Sequence, residues 1–378
     1  MGIMTVLNTI EKDISKQEVK TESYFRVEGQ KYFLGNRYIE RVWKYDKGSL
    51  YTVSILDKVA GYQWVLKHST IHNSEKDNDW LREISYEGLT NDIRQKDSEE
   101  RSEYEMQLVD VSSNKVNDSI YSGSYLEIVF HLRDKVHCMD VKRHAVVYDN
   151  APAIRTFIEV KSDKMPMGDF FSGTRLNILD TYPVALDNKY LRSYEFFART
   201  DLTNHLVEER LNPSGFDKGS LVFYCPPDSE GLFFHKESPC FSDQRPEVEG
   251  NFRICEKRIE TLGWGIRPEE IPEEYKITYS SVIGVFRGNY NCALLALKEY
   301  QRERSLIIPE RDYSVMANLW GDRQCVEHMN EEFVIKEMEA CAKLGVTHYQ
   351  LDFGWQKRGD KDYWDVHPER FPGGFGRI

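Results

Sequence analysis

Hydrophobic and polar residues alternate with a period of two along much of the chain up to about residue 290. Leu126, Ile128, Phe130 and Leu132 alternate with Glu127, Val129, His131 and Arg133. Ile154, Thr156, Ile158 and Val160 alternate with Arg155, Phe157 and Glu159, and Tyr51, Val53 and Ile55 with Thr52 and Ser54. Short runs of this kind predict half-buried antiparallel strands. Turn residues punctuate them, and Asp149-Asn150-Ala151-Pro152 is one such predicted turn. Many strands with few helices predict a large antiparallel β-sandwich over residues 1–290. Asp92 to Glu103 (DIRQKDSEERSE) breaks the rhythm. Its charge predicts a solvated excursion between strands, with a contact arm in an oligomer as the alternative.

The pattern changes near residue 290. Asn291 to Arg304 (NCALLALKEYQRER) contains helix formers and neither Gly nor Pro, which predicts a helix leaving the sandwich within a linker over 291–312. Tyr313 to Leu319 is strand-like. Asn330 is a predicted helix N-cap, with Glu331 and Glu332 in the first turn, where the helix dipole favours negative charge. Val334, Met338, Cys341 and Ala342 form one apolar stripe, and Gly345 stands where a glycine ends a helix. Val346 to Leu351 is again a strand. Residues 313–378 therefore predict a β–α–β unit with two parallel strands and a right-handed crossover. The apolar stripe has few partners in so short a stretch. It is expected to pack against the sandwich, to associate with another chain or to be mobile.

Composition narrows the function classes. The 378 residues suggest two or three domains at roughly 100–200 residues each. With 40 % hydrophobic residues, pervasive disorder is excluded. The longest unbroken apolar run is Cys292 to Leu297, far short of the about 20 residues of a spanning helix. The start of the chain lacks the basic and apolar regions of a signal peptide. The net charge of -12 disfavours nucleic acid and leaves a neutral sugar unaffected. Seven cysteines without CxxC pairs read as reduced thiols, which points to the cytoplasm. HExxH, GxxxxGK[ST] and GxSxG are all missing from the sequence. The expectation is no metal, no cofactor, no nucleic acid and no membrane.

The chemistry concentrates near the C-terminus. Asp352 follows the second predicted strand and precedes Gly354, which permits a sharp turn. Trp320-Gly321-Asp322 follows the first in the same way. In α/β architectures sites lie at the carboxyl ends of parallel strands. A tryptophan and a carboxylate at neighbouring strand ends suit a sugar, because the ring covers its C–H face and the carboxylate accepts from its hydroxyls. The plainer alternatives are a loop or N-cap carboxylate for Asp352 and core packing for Trp320 and Trp355.

Trp320-Gly321-Asp322, Leu344-Gly345-Val346, Leu351-Asp352-Phe353-Gly354-Trp355-Gln356 and the run from Trp364 to Gly374 (WDVHPERFPGG) resemble the opening of the catalytic barrel of family 36 glycoside hydrolases. That family comprises α-galactosidases and raffinose-synthase-like enzymes. Tyr148 to Arg155 (YDNAPAIR) is similar to a segment of the family's N-terminal sandwich. The resemblance implies a sandwich, a linker helix and the first β–α–β unit of a (β/α)8 barrel. It implies a retaining α-glycosidase acting on terminal α-galactosyl residues of small oligosaccharides. Its nucleophile and acid/base would be carboxylates on strands four and six, about 5–5.5 Å apart. It further implies that Asp352 holds sugar hydroxyls, with Trp320, Trp355 and Asp322 around the same pocket, and that the protein forms a homo-oligomer.

Two departures qualify the implied activity. Phe353 replaces the second Asp of the family's Asp-Asp pair, and a phenyl ring accepts no hydrogen bond. Losing one acceptor costs roughly 1–3 kcal/mol of discrimination for its hydroxyl. A closed barrel also takes about 250 residues, so no catalytic residue is expected between Tyr313 and Ile378. This chain alone is expected to be inactive. Two alternatives remain at this point, a non-enzymatic carbohydrate-binding or oligomerisation module and a raffinose-synthase-type transglycosidase.

Overall fold

The computed structural model describes residues 23–46, 48–65, 106–134, 139–162, 178–197, 207–244, 248–266, 270–271, 273–318, 328–357 and 364–378. The charged segment Asp92 to Glu103 lies outside the described residues. The chain divides into two compact units, Met1–Leu306 and Ile307–Ile378.

The first unit is built from antiparallel sheets. Strands β1 (Tyr24–Glu28), β2 (Lys31–Gly35), β3 (Ile39–Asp46), β4 (Ser49–Asp57) and β5 (Tyr62–Gln63) form a five-stranded meander. Four long strands follow, β6 (Met106–Val116), β7 (Tyr125–Asp134), β8 (Met139–Tyr148) and β9 (Ala153–Ser162). Next come β10 (Ile178–Tyr182), β11 (Leu191–Phe196), β12 (Val207–Leu211), β13 (Gly215–Asp217) and β14 (Leu221–Tyr224). The series ends with β15 (Glu230–Glu237), β16 (Phe252–Cys255), β17 (Arg258–Leu262) and β18 (Lys276–Arg287). A nine-stranded sheet has the order β12-β11-β14-β15-β18-β9-β8-β7-β6, and a four-stranded sheet the order β10-β17-β16-β13.

The predicted alternation explains most of the packing. On β7, Leu126, Ile128, Phe130 and Leu132 are all buried in the main core, which residues of all three sheets share. On β4 the alternation fails. Its pairing with β3 shifts between Val42 and Trp43, so Thr52 and Ile55 are both buried while Tyr51 and Val53 are half-buried. A bulge changes which face a residue points to. Here it aims Thr52 at Arg41.

Arg41 anchors a buried ionic cluster. Its guanidinium grips Asp180 of β10 with two hydrogen bonds of 2.6 and 2.7 Å, and its Nε donates to Thr52 Oγ1 at 3.0 Å. Arg143 of β8 and Thr156 of β9 also donate to Asp180. One carboxylate thus joins all three sheets. The two guanidinium groups outweigh its burial and hold the Asp180 carboxyl down at about 2.

Nearby, β15 and β18 carry two reciprocal pairs. Gly231 faces Phe286, and Phe233 faces Gly284. A Cβ on either glycine would lie 2.1 Å from the opposing ring. Each aromatic ring therefore fills the space its partner leaves empty.

The first helix, α1 (Tyr290–Arg304), belongs to this unit. Asn289 caps it by accepting from the backbone N–H groups of Asn291 and Cys292. Ala293, Ala296, Leu297 and Tyr300 form an apolar stripe that packs on β18, β15 and β8 over a second core. Tyr300 Oη donates to Glu237 Oε1 at 2.6 Å. The helix expected to leave the sandwich instead lies along it, because its stripe has an apolar sheet face to cover.

The second unit holds α2 (Pro309–Asp312), β19 (Met316–Asn318), α3 (Glu331–Lys343) and β20 (His348–Gln350). β19 and β20 pair in parallel, as the β–α–β pattern predicts. Asn330 Oδ1 accepts from Phe333 N at 3.0 Å, which caps α3, and Gly345 ends that helix at φ 81°. A small core of Met329, Val334 and Phe371 forms here, with Met338, Tyr349, Leu351, Trp355 and Val366 packed against it. The stripe on α3 thus finds partners inside its own unit at Val334 and Met338, whereas Ala342 stays exposed. Among the described residues no helix is long and apolar enough to cross a membrane.

Candidate functional site

The two parallel strands end level with each other, with Asn318 opposite Gln350. The chain leaves β20 through Leu351 and Asp352 and turns sharply at Phe353 and Gly354. Gly354 adopts φ 119°, a conformation open to glycine and strained for other residues. The turn brings the Asp352 carboxylate back over the strand ends. Its Oδ2 accepts from Asn318 Nδ2 at 2.8 Å, and its Oδ1 from Phe353 N at 2.6 Å. A carboxylate offers about four acceptor positions, so both oxygens retain capacity for a hydroxyl. Asp352 is half-buried, which leaves that capacity within reach of solvent.

The loop is held from several sides. Gly354 N donates to Gln356 Oε1 at 2.9 Å, and Arg370 Nη1 donates to the Gly354 carbonyl at 2.6 Å. The backbone carbonyl of Arg370 in turn accepts from Glu331 N at the start of α3, at 2.9 Å. A short antiparallel contact runs between Gln356 and Val366, flanked by His367 N to Trp355 O and Lys357 N to Asp365 O. These bonds tie the segment from Trp364 onwards to the strand-end loop.

Trp355 is half-buried, with its ring 5.5 Å from Phe375 and 6.3 Å from Trp364. It packs on the small core of this unit. Trp364, by contrast, is 74 % exposed. Of the four residues selected from the sequence, Asp352 and Trp355 are neighbours on one loop, while Trp320 and Asp322 lie outside the described residues. Sequence reasoning missed Asn318, which braces Asp352. Its signal was an amide side chain at the carboxyl end of the first strand, level with the end of the second. It also missed the role of Arg370, which lies within the run from Trp364 to Gly374 and fixes the turn through a backbone carbonyl. Among the described residues no group of three or more His, Cys, Asp or Glu side chains could hold a metal ion. Cys225, Cys240, Cys292 and Cys341 are free thiols, and burial pushes Cys225 up to about 11.

With this geometry in place, the solved structures are informative. The α-galactosidase AgaB of glycoside hydrolase family 36 from Geobacillus stearothermophilus superimposes with a TM-score of 0.55 at 13 % identity. The match covers 93 % of this chain and 54 % of that one. The chain has a family-36-like fold. The α-galactosidase AgaA from the same organism, in a variant complexed with stachyose, matches at 0.55 and 13 % identity over 91 % of this chain and 53 % of its own. The galactosidase domain of the α-galactosidase–sucrose kinase AgaSK matches at 0.55 and 10 % identity, over 93 % and 55 %. The chain thus spans about half the length of these structures. The likeness is one of fold, carried by the mostly antiparallel, β-rich architecture. No protein-family model matches the sequence. No curated protein matches it either.

Proposed function

We propose that this chain supplies the sandwich and the first barrel strands of a retaining α-glycosidase acting on terminal α-galactosyl residues of small oligosaccharides. The observation that carries the proposal is Asp352, a carboxylate braced at the ends of adjacent parallel strands in a family-36-like fold. The complexes of AgaA variants with raffinose and stachyose support the oligosaccharide class of substrate.

Asp352 serves as a fixed acceptor for a sugar hydroxyl. Asn318 and the Phe353 backbone hold its two oxygens, so binding needs no reorganisation of the carboxylate. Trp320, Asp322 and Trp355 complete the pocket in this proposal. Phe353 offers the sugar an apolar edge in place of a second acceptor, which relaxes discrimination at one hydroxyl by roughly 1–3 kcal/mol. In a retaining mechanism one carboxylate attacks the anomeric carbon while a carboxylic acid protonates the departing glycosidic oxygen. Water, deprotonated by the same acid/base group, then cleaves the glycosyl ester. Both reacting groups belong to later barrel strands, so the 378-residue chain binds sugar without turning it over.

Isothermal titration of the chain with galactose and stachyose tests the proposal. Binding is expected to be lost in Asp352→Ala. Binding that survives this change but is abolished by substitutions in the sandwich favours a carbohydrate-binding module instead. Release of nitrophenol from nitrophenyl α-galactoside well above background would refute the statement that the reacting carboxylates lie outside this chain.

A further inference from the structure

Lys236 on β15 is fully buried, with 0 % exposure. Its Nζ donates to Gln244 Oε1 at 2.6 Å and to Asn251 Oδ1 at 3.0 Å. Both acceptors are neutral amides, and both residues are buried. An uncharged amine has two N–H donors, which two amide oxygens satisfy in full. An ammonium carries a third donor that finds no acceptor among the described residues, and burying an unpaired charge is costly.

Among the described residues the surroundings add no compensating anion. From β18, Tyr279 presents its ring, with Nζ 5.3 Å from the centroid. From the end of β17, Gly263 presents no side chain, and a Cβ there would lie 2.9 Å from Nζ. Glu260 on β17 is engaged by Arg253 and Arg258. At β13, Asp217 uses its carboxylate on Ser193 and Gly219, while Lys218 contributes its carbonyl to Asn251 Nδ2. His235 and Glu237 flank Lys236 on the strand and therefore face the other side of the sheet. Glu237 is bound there to Arg155, Ser280 and Tyr300.

Asn251 links this amine to the other sheet. Its N–H donates to the Asp217 carbonyl at 2.7 Å, and its carbonyl accepts from Leu262 N at 2.8 Å. Gln244 Nε2 closes the ring of bonds by donating to Asn251 Oδ1 at 2.6 Å. The knot thus connects the nine-stranded sheet, through β15, with the four-stranded sheet, through β13, β16 and β17.

We propose that the Lys236–Gln244–Asn251 knot is a proton-operated joint between the two sheets, closed while the amine is uncharged and loosened when it takes a proton. Burial lowers the Lys236 amine from 10.5 to about 7, in keeping with this geometry. An opened joint hydrates the amine and restores its ordinary proton affinity. Opening therefore becomes easier as pH falls from 10.5 to about 7 and levels off below that.

Hydrogen exchange of the full chain at pH 9, 8 and 7, corrected for intrinsic rates, tests the joint at the Asn251 and Leu262 amides. The opening equilibrium is expected to rise roughly 50-fold from pH 9 to pH 7. Lys236→Met should abolish that rise. Gln244→Glu retains the lysine and gives it a carboxylate partner, so it should flatten the response as well, even if Lys236→Met fails to fold. A flat response in the unaltered chain, or an unchanged 50-fold rise in Gln244→Glu, would overturn the proposal.

Discussion

The two units differ in how they satisfy their strands. In the first, antiparallel sheets share one continuous core, and a helix seals part of the nine-stranded sheet. In the second, two three-residue parallel strands alternate between exposed and half-buried positions, and Leu344 at the end of α3 is 82 % exposed. Parallel sheets are ordinarily covered on both faces. The contrast teaches that antiparallel pairing with local hairpins covers its own strands, while the short parallel pair leaves alternate positions of both strands exposed. The buried Asp180 cluster lies in the first unit, and Asp352, the carboxylate of the proposed site, lies in the second.

The largest expected effect strikes the first unit alone. Asp180→Ala leaves the buried Arg41 guanidinium uncompensated and takes a partner from half-buried Arg143, and should cost about 3–5 kcal/mol in urea unfolding. Acid removes the same interaction gradually. Asp180 and Glu237 are both held at about 2, against ordinary values of 3.8 and 4.5. Their stabilisation is complete above the ordinary values and is lost as pH falls through 2. An acid titration of circular dichroism should therefore show the first unit intact at pH 5 and losing stability below pH 4.5; a transition centred above pH 5 would contradict the assignment.

Phe371→Ala tests the second unit. Deleting a fully buried ring should cost about 3 kcal/mol and expose α3 to exchange, with β7 to β9 protected as before. Loss of protection in β7 to β9 would show that the division at Leu306 is not a division of stability. Tyr300→Phe is a milder probe. It leaves Glu237 without one donor and should cost about 1–3 kcal/mol while α1 remains docked through its apolar stripe. Full retention of stability would mean that the stripe alone secures the helix.

The local elements were legible in the sequence. Period-two alternation located β7 and β9, turn residues located the β8–β9 hairpin, and Asn330 and Gly345 marked the ends of α3. The wider assembly was not legible. The order of the nine-stranded sheet depends on pairings such as β15 with β18 and β18 with β9, which join distant segments. Nothing in the sequence marks Arg41, Asp180 and Lys236 as buried, because charged side chains are almost always exposed. Their burial depends on partners supplied from other sheets. In the candidate site, Asp352 could be found from its place at a strand end. Its brace by Asn318 required knowing that the two strands end level.

The paired glycines and phenylalanines of β15 and β18 carry a consequence for the protein's history. Neither member of a pair can change alone, because a larger residue at Gly284 meets the Phe233 ring and a smaller one at Phe233 leaves a hole over Gly284. Sequence drift at this seam must proceed by coordinated double replacements. The seam should therefore diverge more slowly than the strands around it, and its four residues should change together across related chains.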